Sequence, residues 1–418
     1  MARDTIDVAI VGGGLVGASL AVALSKTPLR LALIEAAPPP SGGKPPSGEA
    51  RWDERCIALN AASQQIFSAI GAWDELSGSA EPITWTHISE RGRFGVARFM
   101  AADAGLAALG YNVPVRALGH ALWSRLQQTD ARIIAPAEVN EIHVGADSVI
   151  CRVRHAHRGS RGERAGAHGA PDRIKARLLV AADGANSVVR QLLGLQAMTR
   201  DYGQSAIVTA VRVTRPNRGC AYERFTPDGP IALLPNPGNA CSLVWTVPTA
   251  RVEEMLAWAD DVFLREAQQT FGERLGKFIE LGRRSAHPLT RVMSESLSAP
   301  RVLLAGNAAQ SLHPVAAQGF NLGLRDVATI AELLRDPGDP GAPEILAEYE
   351  SRRGRDRDVV SGFTDRLVRL FSNRIPGLSA LRHLGLLALD LAPPLKEAVM
   401  WQNLGYVSAP AAARQTTR

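Results

Sequence analysis

The chain opens on blocks of apolar residues separated by glycine. Residues 7–13 read DVAIVGG, residues 14–27 GLVGASLAVALSKT and residues 29–37 LRLALIEAA. An uninterrupted apolar run, a glycine turn, a longer apolar segment and a second short run predict strand, turn, helix and strand. A Pro/Gly/Ser stretch, 38–51, follows and predicts a loop. Residues 56–76 predict a helix, as does the segment from Val113, where Leu118, Leu122 and Leu126 recur every four residues. Residues 138–156 alternate like a hairpin, and the polar, basic 157–173 reads as its exposed extension. The run ARLLVAADG, 176–184, predicts a buried strand ending in a turn. Alternating segments over about 202–250 predict a β-rich region, and 252–276 predicts helix. RVLLAGNAAQ, 301–310, then returns to the opening pattern, and 341–404 is mainly helical in character. The expectation is an α/β domain interrupted by a β-rich insertion and then resumed.

Composition narrows the class. Of 418 residues, 46% are hydrophobic and 21% charged, which fits a folded globular chain of two or three domains. The four cysteines lack zinc-like or CxxC spacing, so no metal site and no disulfide framework is expected. Residues 8–25 carry no charge, but Gly12, Gly13, Gly14 and Gly17 would weaken a spanning helix. Asp4 and Asp7 precede the run, where a signal peptide needs positive charge. Residues 351–418 hold eleven basic and five acidic side chains, a net +6 that equals the charge of the whole chain. A basic tail suits anionic lipid, an acidic partner or a solvated helix face. The basic 157–173 segment has no aromatic residue for a base to stack on, so no nucleic-acid partner is expected.

Three motifs carry candidate chemistry. Gly12-x-Gly14-x-x-Gly17 lies between the first strand and helix, and Glu35 ends the second strand 18 residues after Gly17. Gly12 allows the tight turn, Gly14 the approach of a pyrophosphate and Gly17 the packing of helix on strand; Glu35 suits a ribose hydroxyl. Asp183-Gly184 falls at a strand end, where ligands gather in an open α/β sheet. GNAAQSLHPVAAQGFNLGLRD, residues 306–326, links a strand to a helix. His313 is there, and a structural histidine is the better reading of it. Tyr222, Glu223 and Arg224 stand in the β-rich region, facing either substrate or sheet.

In this order the three motifs resemble the single-component FAD-dependent aromatic hydroxylases of the para-hydroxybenzoate hydroxylase class. WDERCIALN (52–60), with Asp53 and Arg55, ERFTPDGPIALLP (223–235) and GNAAQ narrow the resemblance to the ubiquinone-biosynthesis hydroxylases, nearest to the 2-polyprenyl-6-methoxyphenol hydroxylase subgroup. The resemblance implies a Rossmann-like FAD-binding domain in three parts (1–80, 101–190, 286–340). Substrate-domain strands (81–100), a β-rich substrate domain (191–285) and a helical C-terminal region (341–418) complete it. It implies FAD as cofactor, NAD(P)H as reductant and O2 as oxidant, with hydroxylation of a polyprenyl phenol through a flavin hydroperoxide. The alternatives are an FAD-dependent hydroxylase or reductase of another aromatic or isoprenoid substrate, or a non-catalytic subunit of a hydroxylase complex. The cofactor residues it implies are Gly12, Gly14, Gly17, Glu35, Arg55, Arg116, Asp183, Gly306, Asn307, Pro314, Gln318, Gly319, Phe320 and Asn321, with no catalytic residue assigned. Asn307 departs from the acid usual in the wider family. A lipophilic substrate further implies a cytoplasmic protein, peripheral on the inner membrane through residues 363–395 or held in a biosynthetic complex.

Overall fold

A computed structural model describes residues 5–39, 55–155, 172–312, 318–336, 338–371, 385 and 390–406. Pro314, His313, Asp53 and residues 157–171 of the expected extension lie outside them, while Asp172 and Arg173 begin a strand.

The apolar run Ile6–Val11 becomes the centre of a sheet because both its faces are covered. It pairs in parallel with Leu31–Ile34 on one side and Asp172–Ala181 on the other. Arg132–Ile134 and Val302–Leu304 extend the parallel sheet outward. The hairpin Ala137–Val144 and Val149–His155 joins it antiparallel along Asp172–Ala181. The helix Leu15–Leu24 packs on this sheet and against the helix Gln318–Leu333.

A second sheet of nine strands runs through the β-rich region. Its long strand Ala197–Val213 pairs with Ala240–Pro248 and with Ser285–Ser294, so the latter joins this sheet although it falls within the stretch 286–340 expected to close the cofactor domain. Trp85–Glu90 and Val96–Met100 form its far edge. Alternation splits its side chains by size. Ile207, Val211, Tyr222, Leu233, Leu243 and Trp245 pack on Met255, Phe263 and Phe271 of the helices Val252–Ala257 and Asp260–Phe271. The opposite face bears small residues, among them Ala206, Ala221, Ala232 and Ser242. Large residues on one face fix the sheet against helices, and small ones on the other leave room.

Cys56–Asn60 is a strand, correcting the expected helix over 56–76; the helices there are Ala61–Ala69 and Trp73–Ser77. It pairs with Gly110–Pro114 in a three-stranded sheet between the two larger ones. Pairing with that strand overrides the helical look of its sequence. The helix expected from Val113 begins at Val115 and ends at Leu126. Pro343–Phe371 and Pro393–Asn403 form the helical C-terminal part. Met400, Leu404 and Tyr406 close a third core with Phe99, Leu109 and Phe225.

Candidate flavin and substrate site

The glycine turn is built by close approaches. Gly12 has φ +102°, and a Cβ there would stand 2.5 Å from the Ala182 carbonyl oxygen. At Gly17 a Cβ would fall 1.8 Å from the Gly12 carbonyl oxygen, so only glycine lets the helix sit this close to the strand. Gly14 differs: nothing lies within 4 Å of the position its Cβ would take. That open space at the N-terminus of the helix Leu15–Leu24, at the positive end of the helix dipole, has the form of a cradle for a pyrophosphate. Glu35 ends its strand beside this turn. Its carboxylate accepts from the Gly13 N–H, and from the Ala37 N–H at 2.7 Å. The Trp123 indole N–H donates to the Gly13 carbonyl at 3.1 Å and fixes the same corner.

Asp183 accepts the Val189 N–H at 3.0 Å through one oxygen, in the first turn of the helix Val188–Leu192 that Ser187 caps; its other oxygen is buried without a partner. A buried carboxylate oxygen without a donor is costly, which suits a position where a ligand donates.

The loop after Val302–Leu304 turns at Gly306, whose φ is +59° and whose Cβ would press on Val16. Its N–H donates at 2.9 Å to Asp326, a buried acid that also accepts from the Gln310 amide at 2.8 Å. Asp326 in turn accepts from Arg353 at 2.7 Å. Asp356 accepts from Arg353 and, at 2.7 Å, from Arg325. All four charges are buried, and their signs alternate and cancel. Arg353 is consequently held even more firmly protonated than a free arginine, despite the desolvation that opposes its charge. This network bolts the loop and the helix Gln318–Leu333 to the helix Pro343–Phe371. Sequence reasoning missed it because Asp326 closes the third motif without an assigned role and Arg353 and Asp356 belong to no motif; the isolated acid within the apolar LGLRDVATI was the one available signal.

Between the loop and the small-residue face of the second sheet lies a cavity of about 810 Å3. Seven of the expected cofactor residues line it: Gly14, Arg55, Asn307, Gln318, Gly319, Phe320 and Asn321. Gly12, Gly17, Glu35, Asp183 and Gly306 form the turn and loop just described and do not line it. Arg116 is exposed on the helix Val115–Leu126 and does not line it. Asn321 is chiefly a strut: its side-chain oxygen accepts the Asn60 N–H and its amide donates to the Ala58 carbonyl, both at 3.0 Å. Gln318 is buried with its carbonyl oxygen unpartnered, at the start of a helix whose first residues line the cavity. Asn307 is exposed on the cavity wall, so the acid that stabilises this loop is Asp326 and position 307 is free for a neutral side chain.

The residues fit FAD: an empty cradle at Gly14, an orphaned acceptor at Asp183 beside that turn, and a cavity lined by both Gly14 and Gln318, whose side-chain oxygen is also unpartnered. On the substrate side, Asn112 donates to Pro235, Asn236 and Ser242, satisfying those groups among themselves. His287 is held below its usual pKa, first by burial and then by the charge of Arg55. The thiols of Cys151, Cys220 and Cys241 are pushed up to about 12 by burial, which removes them as nucleophiles.

A family model described as an FAD binding domain matches residues 5–362. The ubiquinone hydroxylase UbiL of Rhodospirillum rubrum is 39% identical over 97% of this chain and 90% of its own length. The 3-demethoxyubiquinol 3-hydroxylase of Escherichia coli is 32% identical over 97% of this chain and the whole of its own. In fold, the p-nitrophenol 4-monooxygenase PnpA of Pseudomonas putida superposes with a TM-score of 0.76 at 17% identity, covering 96% of this chain and 99% of its own. The chain belongs to the FAD binding domain family, among the FAD-dependent aromatic monooxygenases that include the ubiquinone hydroxylases.

Proposed function

We propose that this protein hydroxylates the ring of a prenylated phenol or methoxyphenol in ubiquinone biosynthesis, using NAD(P)H as reductant and O2 as the source of the oxygen atom. The observation that supports the reading best is the cavity itself. One end meets the flavin loop and the other is floored by small apolar side chains, which suits an aromatic ring with an apolar tail. Bound FAD would carry electrons from NAD(P)H and present an electrophilic oxygen to the ring. The chain's own residues do the rest. The N-terminal N–H groups of the helix Gln318–Leu333 favour negative charge on a reduced ring. Small apolar side chains on the floor exclude water.

No helix among the described residues is long and apolar enough to cross a membrane. A lipid-borne substrate is then met at a surface. Supporting contact with anionic lipid or a partner, Phe94 is 94% exposed, and Leu391 and Leu395 are 76% and 50% exposed. Arg98, bound to Asp390, and Lys396, bound to Asp103, stand among them. Most of residues 363–395 falls outside the described residues. Flotation of the intact protein with anionic liposomes, compared with a Leu391→Asp/Leu395→Asp variant, tests this contact; equal flotation rejects it. Hydroxylation is tested by incubating FAD-loaded protein with a short-chain 2-prenyl-6-methoxyphenol, NADH or NADPH and 18O2. The expected product carries one 18O on the ring. Reduced-cofactor oxidation that yields only hydrogen peroxide with every phenol tried would reject the reading.

A further inference from the structure

Beyond the flavin loop, the cavity floor contains one group the chemistry above leaves unused. The registers of the second sheet align Ile88, Glu223, Ala232, Val244 and Val208 in a single cross-strand row. All five line the cavity, and Glu223 is the only charged residue in the row. No hydrogen bond or ion pair joins its carboxyl to any described residue. One diagonal step away on the same face, the Thr86 hydroxyl is buried and also lacks a partner. Two adjacent polar groups without partners, in a cross-strand row otherwise apolar, mark a place where a ligand's polar end belongs.

Resting on the hydroxylase reading, we propose that Glu223 is the catalytic base of this site, accepting the phenolic proton of the substrate, with Thr86 donating to the same phenolic oxygen. The O–H bond of the phenol breaks, and the proton forms a bond to a Glu223 carboxylate oxygen. The freed electron pair feeds the ring carbon that takes up the electrophilic oxygen supplied by flavin and O2. When that carbon loses its hydrogen as a proton to water and the ring becomes aromatic again, Glu223 returns its proton to the phenolic oxygen. Protons and electrons balance over the two steps.

The surroundings suit a base at neutral pH. Desolvation alone pushes the Glu223 carboxyl up to about 7. The charged and titratable groups around it do not neutralise it. Arg224, next in the strand, turns to the helix face and donates to the Phe271 carbonyl at 2.7 Å. His87 is buried on that same face, and its pKa is driven down to about 4, first by burial. Glu90 follows Ile88 on the same face of its strand, beyond the cavity wall. Arg98 is paired with Asp390. Arg55 and His287 line the far side, and His287 stands four strand spacings from Glu223, roughly 19 Å. The strand Ile231–Pro235 and the nearby cavity residues Met400, Asn403 and Leu404 bring no ionisable group.

The test uses the FAD-loaded protein without NAD(P)H, so that nothing turns over. Binding of a short-chain 2-prenyl-6-methoxyphenol, followed by the flavin absorbance, is titrated from pH 5.5 to 8.5, where this phenol stays protonated. Affinity should rise several-fold through about pH 7 as the carboxylate forms and accepts the phenolic hydrogen. The methyl ether of the same phenol has no O–H and should bind independently of pH, as should the phenol in Glu223→Gln. In turnover, Glu223→Gln should lose on the order of 100-fold in kcat, with Glu223→Asp intermediate. A phenol already ionised at the assay pH should be spared this loss. Should Glu223→Gln fail to hold FAD, the wild-type comparison of phenol with methyl ether decides alone. A pH-independent phenol affinity in the wild type, or a methyl ether showing the same rise, overturns the proposal. Hydroxylation of the phenol with flat binding would overturn the base alone, whereas absence of any hydroxylated product would overturn the hydroxylase reading beneath it.

Discussion

At the scale of single residues, the site depends on where charge is withheld as much as on where it is placed. Asn307 leaves the cavity wall neutral where the wider family has an acid, and Asp326 supplies the missing structural anchor from behind. Asn307→Asp should lower the midpoint potential of the bound flavin by a few tens of millivolts, since ~30 mV corresponds to about 1.4 kcal/mol for two electrons. Spectroelectrochemical titration of both proteins measures this, and equal potentials would show that position 307 does not feel the reducible ring. Glu223 makes the opposite compromise. Its carboxyl is harder to ionise in the folded protein than in the unfolded chain, so this group favours folding when protonated and opposes it as pH rises toward and through about 7. Glu223→Gln should therefore raise the melting temperature at pH 8, by up to roughly 3 kcal/mol of stability, and much less at pH 5. A pH-independent gain would mean that the carboxyl is better solvated than its place in the wall indicates. The glycines and Glu35 were legible in the sequence because backbone geometry demands them at fixed spacing. The solitude of Glu223 was not, because it depends on neighbours from four other strands.

The elements show how tertiary contacts decide what local pattern leaves open. The parallel strands were readable as apolar runs, since burial on both faces leaves few polar positions. The strand Cys56–Asn60 was not, because it exists through pairing with Gly110–Pro114, fifty residues on, and through Asn321 bonded to its backbone. The size split across the nine-stranded sheet was present in the sequence as alternation, but which face met helices and which met the cavity needed the packing. The helix Pro343–Phe371 read only as a charged helix; its inward charges prove to be the partners of Asp326 and Arg325. Arg353→Leu would leave Asp326 and Asp356 without that shared partner, and buried pairs broken in this way cost about 3–5 kcal/mol. The expected result is a lower melting temperature together with weaker FAD retention on gel filtration. Loss of stability with unchanged FAD affinity would separate the network from the loop it supports.

Across the whole molecule, two sheets and a C-terminal helix share one interior. Met400 and Leu404 line the cavity while packing against Phe99 and Leu109, so the last described helix acts as a side wall. Widening that wall with Met400→Ala/Leu404→Ala should admit water and raise the fraction of NAD(P)H oxidation that ends in hydrogen peroxide, read as the ratio of peroxide to hydroxylated product. An unchanged ratio would place the reacting ring away from this wall. The buried quartet of charges has one more consequence. Because it spans the flavin loop and the long C-terminal helix, a ligand whose binding at one end steadies the other would strengthen a ligand bound there, and the gain would be the same in both directions. A lipid surface or partner that grips the C-terminal region would then tighten the hold on FAD. Conversely, the cofactor would set how strongly the protein holds to that surface, so that an enzyme without its flavin would also be the one most readily released.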